Sequence, residues 1–256
     1  MKRREFIKRG ALFVPATFGI LVKSRAASPI FFGQNGVSAS APADFDPTIY
    51  GLTTQGWWAA RLESGLVDND PIASLTDNSG NGRTVSQGTS SWRPTYKTGV
   101  SGVSLPVAYF DGGDYLQATY TQAQSFTIAC VAKCSGGAVY EAIVAGSPND
   151  AGVYGWNSGS AWATYAGSSF TYGTKSSWTV IVSVFNGASS FAYHNGTKVT
   201  GSPGATSIST LLLLGAGYGA GSKLTGYIGE AVIWSGAMSD ANAAAACASI
   251  QSTWGL

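Results

Sequence analysis

The chain has 256 residues, only 11% of them charged, with 34 Gly, 8 Trp, 12 Tyr and 11 Phe. Few charges and many aromatics exclude a disordered chain, which needs the opposite balance. Seven of the 15 Lys and Arg residues (Lys2, Arg3, Arg4, Lys8, Arg9, Lys23, Arg25) but only Glu5 of the 13 acids stand at the N-terminus. The remainder carries 8 basic and 12 acidic residues, a net charge of −4, and has no cationic run to track a phosphate backbone, which excludes a nucleic-acid partner.

The N-terminus reads as an export signal. A positive n-region is followed by the apolar segment Gly10–Val22, shorter than the roughly 20 residues a spanning helix needs. Ser24, Ala26 and Ala27 then offer small residues for cleavage. Arg3-Arg4-Glu5-Phe6-Ile7-Lys8 resembles the bacterial twin-arginine signal, and the basic Lys23 and Arg25 suit its c-region. Such a signal is a receptor-read address. Residues 1–27 are therefore expected to be a signal peptide, 28–44 a flexible Ser/Ala/Pro/Gly linker, and 45–256 one folded domain. The implied compartment is periplasmic or extracellular, with membrane contact only through the signal; an uncleaved tether is the alternative.

From residue 45 onward the pattern is short strands and Gly/Asn/Ser turns. Gln55-Gly56-Trp57-Trp58 opens a first strand followed by a short turn or helix. Residues 73–83 form a polar glycine loop, and Thr84-Val85-Ser86 and Arg93-Pro94-Thr95-Tyr96 bracket another. Alternation on both sides of Asp111-Gly112-Gly113-Asp114 predicts two strands joined by a tight turn, with glycine supplying positive φ and aspartate capping backbone N–H groups. Further strands are expected at 139–145, 151–156, 161–165, 178–185, 190–194, 197–200, 209–215 and 224–235. Asn195-Gly196 is a two-residue hairpin signal, which explains the Asn195-Gly196-Thr197 sequon better than glycosylation does. Ser239 and Asp240 cap an alanine-rich helix running to Ser252, and Trp254 is expected to pack against the sheets. No internal repeat of fixed period is present.

In order, the chain shows Asp77-Asn-Ser-Gly-Asn-Gly82, Arg93-Pro-Thr-Tyr96, Phe110-Asp-Gly-Gly-Asp-Tyr-Leu116, Ser125-Phe-Thr-Ile128 and Phe185-Asn-Gly187. Leu214-Gly215, Leu224 to Trp234 and Met238 to Leu256 follow. Together they resemble the laminin-G-like jelly-roll domains of the concanavalin A-like lectin/glucanase superfamily, over nearly all of 50–256. The resemblance implies an all-β, two-sheet antiparallel sandwich with one C-terminal helix. It does not imply one activity, because the superfamily includes lectins, enzymes and adhesive modules.

Catalytic groups are hard to find. Hydrolysis of a glycosidic bond needs two carboxyl groups about 5–10 Å apart. Beyond the signal only Glu63, Glu141 and Glu230 are glutamates, and none has the acidic neighbours of the superfamily's Glu-x-Asp-x-x-Glu strand. Glu230 reads as a strand residue making a hydrogen bond or salt bridge. His194 lies beside a hairpin turn, reads as a surface residue, and has no nucleophile motif around it. The chain is read as not an enzyme. Cys130 and Cys134 share a strand face with Cα atoms about 13 Å apart, too far for a disulfide. With Cys247 they are expected to be buried thiols; a bridge survives only if the strand ends before Cys134 or if one of the two meets Cys247. No zinc pattern is present. Asp77-x-Ser79-x-Asn81-Gly82 begins like an EF-hand loop, but residue 88 is glycine where a glutamate is needed. Asp111 with Asp114, or Asn149 with Asp150, would supply oxygens for calcium at a loop rim, but turn capping is the favoured reading of each pair. No cofactor is expected, and a structural calcium stays open without assigned ligands.

The stretch from Gly152 to Tyr165 is the candidate ligand site. Two short strands around Asn157-Ser-Gly-Ser160 would gather Tyr154, Trp156, Asn157, Trp162 and Tyr165, with Tyr154 and Trp156 on one face and Trp162 opposite Gly155. Exposed rings stack on sugars, and Asn or Ser meets hydroxyls. The expectation is an exported, non-catalytic module binding a polysaccharide or cell-surface glycan. The alternatives are an adhesion domain engaging a cell-surface protein, and a divergent polysaccharide hydrolase or lyase.

Overall fold

The computed structural model describes residues 44–136, 140–147, 151–156, 161–175, 177–217 and 222–256. The expected signal (1–27) and nearly all of the expected linker (28–44) lie outside them, as do Asn149, Asp150 and Asn157 to Ser160. In chain order the strands are β1 (Thr54–Ala59), β2 (Ser74–Leu75), β3 (Val85–Ser86), β4 (Thr95–Lys97), β5 (Val107–Asp111), β6 (Leu116–Thr119), β7 (Phe126–Cys134) and β8 (Tyr140–Ser147). They continue as β9 (Gly152–Trp156), β10 (Ala161–Tyr165), β11 (Ser169–Tyr172), β12 (Thr179–Phe185), β13 (Phe191–His194), β14 (Thr197–Thr200), β15 (Leu211–Leu214) and β16 (Thr225–Ser235), and helix α1 covers Asp240–Trp254.

These form two antiparallel sheets in a jelly-roll sandwich. Sheet A has the order β14-β13-β12-β7-β16-β5-β4, with β1 also paired to β16, and sheet B the order β11-β10-β9-β8-β15-β6-β3-β2. The Asp111–Asp114 turn has the expected geometry: Gly112 has φ 94°, Gly113 N donates to Asp111 Oδ1 at 2.7 Å, and Asp111 N donates to Asp114 Oδ2 at 3.1 Å. The strands it joins do not pair, however. β5 lies in sheet A and β6 in sheet B, so the turn carries the chain between layers.

Strand alternation decides which side each residue covers. In β7, Phe126, Ile128, Cys130, Ala132 and Cys134 point between the sheets, while Ala129 and Val131 point outward. Both sides are buried, because α1 lies over the outer face of sheet A through Ala243, Ala246, Cys247, Ile250 and Trp254. The interior also holds a hydroxyl bridge between layers: Thr164 Oγ1 lies 2.9 Å from Tyr172 OH and 2.8 Å from Ser183 Oγ. Ser239 Oγ accepts from Asn242 N at 3.2 Å to open the helix, and Gly255 at φ 69° closes it. The Asn195-Gly196 hairpin is present with φ of 46° and 80°. All three cysteines are buried, as expected.

A bulge fixes the C-terminus. Register shifts in β16 between Ile228 and Glu230, where Gly229 has no room for a side chain: a Cβ there would stand 2.5 Å from the Trp254 ring. Glu230 is 1% exposed and accepts from Trp57 Nε1 (2.5 Å), Trp254 Nε1 (2.8 Å) and Arg61 (3.2 Å). One carboxylate thus ties the first strand, the turn after it and the last helix to the middle of sheet A.

Candidate functional site

The outer face of sheet B differs from that of sheet A. Register sets the outward side chains in rows: Tyr140–Trp156–Ala161, then Ala142–Tyr154–Ala163–Thr171, then Ala145–Gly152–Tyr165–Ser169. Through β15 and β6 the face continues as Leu213 and Gln117, and as Leu211 and Thr119. Among the described strand residues, none of these outward positions carries a charge. The alanines leave low ground between the rings.

Tyr140 is 42% exposed and meets the half-buried Trp156 edge-on, with ring centroids 4.4 Å apart at 64°. Tyr154 lies mostly covered, its ring 6.0 Å from that of the half-buried Tyr165 at 80°. The β15–β16 connection closes over Tyr154 at Gly217, where an added Cβ would stand 3.0 Å from the ring and 3.1 Å from Ala142. Tyr154, Trp156 and Tyr165 are therefore brought together as one aromatic band. Tyr140, missed in the sequence, completes it. Its signal was present in the expected strand at 139–145, but which residue of β9 it faces depends on a register shift between Ala142 and Val144.

Trp162 is a correction. It stands opposite Gly155 as expected, but on the inner side, with none of its surface exposed. Its indole N–H donates to Thr174 O at 2.9 Å and Thr179 Oγ1 at 3.2 Å, so it braces the two layers and meets no ligand. Asn157 lies outside the described residues.

Beneath the band sits a buried ion pair. Glu141 follows Tyr140 and points inward opposite Gly155; its Oε2 accepts from Lys175 Nζ at 2.7 Å and its Oε1 from Thr225 N at 3.2 Å. The two side chains are 0% and 8% exposed. Gly155 has no Cβ for a reason: one would stand 2.7 Å from Cys134 Sγ and 3.3 Å from Lys175 Cδ. Burial first, and the Glu141 charge second, push the Cys134 thiol far above its usual range, so it stays protonated and unreactive.

At the other end of the same face, Arg83, Thr84, Ser86, Gln117, Thr119 and Leu211 border a cleft of about 400 Å³. The Arg83 guanidinium is turned to the Gln55 carbonyl and lies 5.3 Å from the centre of the Tyr120 ring.

The remaining polar candidates are engaged in the framework. Asp77 accepts from the N–H groups of Trp57, Ser79 and Arg83. Burial alone would raise its pKa, but hydrogen bonds from Ser79, Arg83 and Trp57 outweigh it and hold the carboxyl below its usual value. Asp114, 4% exposed, is pushed up to about 6 by burial, with the Asp111 charge adding to the shift. His194 is not a plain surface residue. It is half-buried beside the Tyr172 ring at 5.9 Å, burial lowers its pKa, and its Nε2 has no partner among the described residues. Among those residues no group of three or more His, Cys, Asp or Glu gathers to hold a metal. No described helix is long and apolar enough to cross a membrane.

Comparison with known proteins places this architecture. A laminin-G family model described as the concanavalin A-like lectin/glucanases superfamily matches residues 110–244. Among solved structures, the chain is similar to domain 4 of AbnA, a GH43 extracellular arabinanase from Geobacillus stearothermophilus, solved in complex with arabinotriose (14% identity, TM-score 0.55, 77% of this chain and 98% of that one). It is also similar to the binding domain of Paraclostridial Mosquitocidal Protein 1 (11%, 0.56, 77% and 52%). A third likeness is to an arabinofuranosidase complexed with arabinofuranosyl-alpha-1,2-xylobiose (14%, 0.55, 72% and 51%). The chain spans about half the length of the last two. At these identities the likeness is one of fold. No curated protein matches the chain. With a family match running from Phe110 in β5 to Ala244 in α1, across both sheets and into the helix, the chain belongs to the concanavalin A-like lectin/glucanases superfamily.

Proposed function

We propose that the chain is an exported, non-catalytic carbohydrate-binding module that holds a neutral polysaccharide or glycan on the outer face of sheet B. The observation that carries this reading is the exposed Tyr140 paired with the half-buried Trp156 where the described outward strand positions carry no charge, flanked by Tyr154 and Tyr165. Rings of this kind present apolar surface to the C–H faces of sugars, and the Ser, Thr and Gln residues across the sheet supply hydroxyl partners. The arabinotriose-bound AbnA domain, of the same fold over nearly its whole length, supports a carbohydrate partner. The twin-arginine-like N-terminus supports export.

The carboxylates support a binding role over a catalytic one. Glu141 points between the sheets and is paired with Lys175, whereas Glu230 lies beyond sheet A beneath α1. A whole sheet separates them, and two carboxyls must flank one bond to hydrolyse it. Asp114, the acid with the raised pKa, is buried in its turn and accepts from the Asp111 N–H.

The test is a glycan array on the purified protein, with and without calcium, alongside Trp156→Ala and Tyr140→Ala. Loss of one stacking ring should weaken binding about tenfold. Folding should survive, since both rings are partly exposed. Binding unchanged in both variants would remove the site from this face.

A further inference from the structure

We propose that the glycan site is bipartite: a second aromatic platform, Trp92 and Tyr115 beneath Lys223, holds further sugar units of a neutral chain crossing sheet B from the Tyr140–Trp156 pair. The inference rests on the reading of that face as a glycan site. It deepens that reading by requiring an extended oligosaccharide rather than a terminal sugar.

Trp92 is 43% exposed, one of the few large apolar side chains at the surface. It does not stand alone. Its ring lies 5.9 Å from that of Tyr115, tilted by 31°, and Lys223 Nζ is 5.6 Å and 5.4 Å from the two ring centres. Lys223 is itself fixed by donation to Gly113 O at 2.5 Å, and the backbone joins the two aromatic residues through Tyr115 N to Trp92 O at 3.1 Å. Gln87 Nε2 holds the Tyr115 carbonyl at 3.3 Å. The platform is therefore preorganised, which lowers the ordering cost of binding.

Its place follows from alternation. Leu116 is in the core, so Tyr115 beside it faces out with Gln117 and Thr119. Sheet order β9-β8-β15-β6 sets Tyr115, at the start of β6, two strand steps from Tyr140 and three from Trp156, roughly 10–15 Å measured across the strands. Ala145, Leu213 and Gln117, all uncharged, form the next outward row beyond Tyr115, where the cleft adjoins Gln117. Gly217 meets Tyr154 beside the first platform, and Lys223 stands over Trp92 and Tyr115. Lys223, which stands over the two rings, also acts on the buried Asp114, so positive and negative charge are matched beside the platform, which favours hydroxyl groups over a ligand of net charge.

The experiment measures affinity against chain length for neutral arabinan, xylan, β-glucan and mannan oligosaccharides, from di- to hexasaccharide. Proteins are the full chain and its Trp92→Ala, Trp92→Phe and Trp156→Ala variants. Affinity for the bound series should rise about tenfold or more from disaccharide to hexasaccharide. Trp92→Ala should remove that gain while leaving disaccharide binding within about twofold, and Trp92→Phe should restore most of it. Trp156→Ala should weaken every length. Length-independent affinity, or a hexasaccharide indifferent to Trp92→Ala, overturns the bipartite site alone. Binding indifferent to Trp156→Ala, or no binding of any series by the folded protein, overturns the underlying glycan reading with it.

Discussion

Removing one member of the Glu141–Lys175 pair should cost far more than removing both. In Lys175→Met the stem that packs near Gly155 and Cys134 is kept, but a carboxylate with no exposed surface loses its cation and keeps only neutral donors such as Thr225 N–H. Breaking a buried pair from one side costs about 3–5 kcal/mol, because the surviving charge stays desolvated and unmatched. Against a total stability of roughly 5–15 kcal/mol, that is a large fraction. Glu141→Gln should cost a similar amount by stranding the ammonium. The double variant leaves no charge behind and should return to within about 1 kcal/mol of wild type. Urea unfolding followed by tryptophan fluorescence gives each arm, and the double-mutant cycle should show coupling of about 3 kcal/mol. Single variants that lose less than about 1 kcal/mol would show that the pair is solvated in solution. A double variant as weak as the two singles added together would mean the groups never shared an interaction.

Glu230→Ala should cost about 3–5 kcal/mol, since it leaves two indole N–H groups without their acceptor and the buried Arg61 guanidinium with the 3.8 Å contact to the exposed Asp44 in place of its close partner; an unfolding midpoint unchanged within error would remove Glu230 as the anchor of the helix. Asp114 gives a pH signature. Burial pushes its carboxyl up to about 6 in the fold, above the range of a free aspartate near 4, so the native state holds the extra proton between those values. Stability from this group is full below about pH 4 and is lost as pH rises through about 6. Asp114→Asn keeps an acceptor for the Asp111 N–H and should raise the melting temperature relative to wild type at pH 7, with the advantage fading toward pH 4. An advantage independent of pH would show that the carboxyl is not shifted.

Most of the fold was legible because strand signals here are local. Expected spans such as 161–165 and 197–200 match β10 and β14, and the Ser239 cap and Asn195-Gly196 turn lie where their chemistry requires. Sheet membership was less legible. The Asp111–Asp114 turn has the residues of a hairpin, yet its strands part because β5 pairs with β16 and β6 with β15, partners a hundred residues away. The site divides along the same line. Tyr154 and Trp156 share a face by the period of two, which needs no partner strand. Trp162 was placed opposite Gly155 correctly, but whether that pair faces solvent or the interior depends on the other sheet. Thr179, in sheet A, decides it by taking the indole N–H. Tyr140 and Trp92 needed tertiary register and could not be paired with their aromatic neighbours from the sequence.

The two outer faces explain why a ligand would be taken on one and not the other. Sheet A sends Val180, Val182 and Val184 outward beside Ala129 and Val131, and that surface is buried by α1 and by Phe45 and Tyr50. An apolar face of that size left open would be a liability. Sheet B sends out alanine, glycine, serine and threonine at the matching positions, with bulk at the aromatic band and at Leu211 and Leu213. Small residues there give up little by remaining uncovered, so the fold needs no second helix. They also leave the rings standing above their surroundings. A face that needs no cover for stability, and whose described strand positions carry no charge to be desolvated under a neutral chain, is one on which exposed aromatics can be kept for binding.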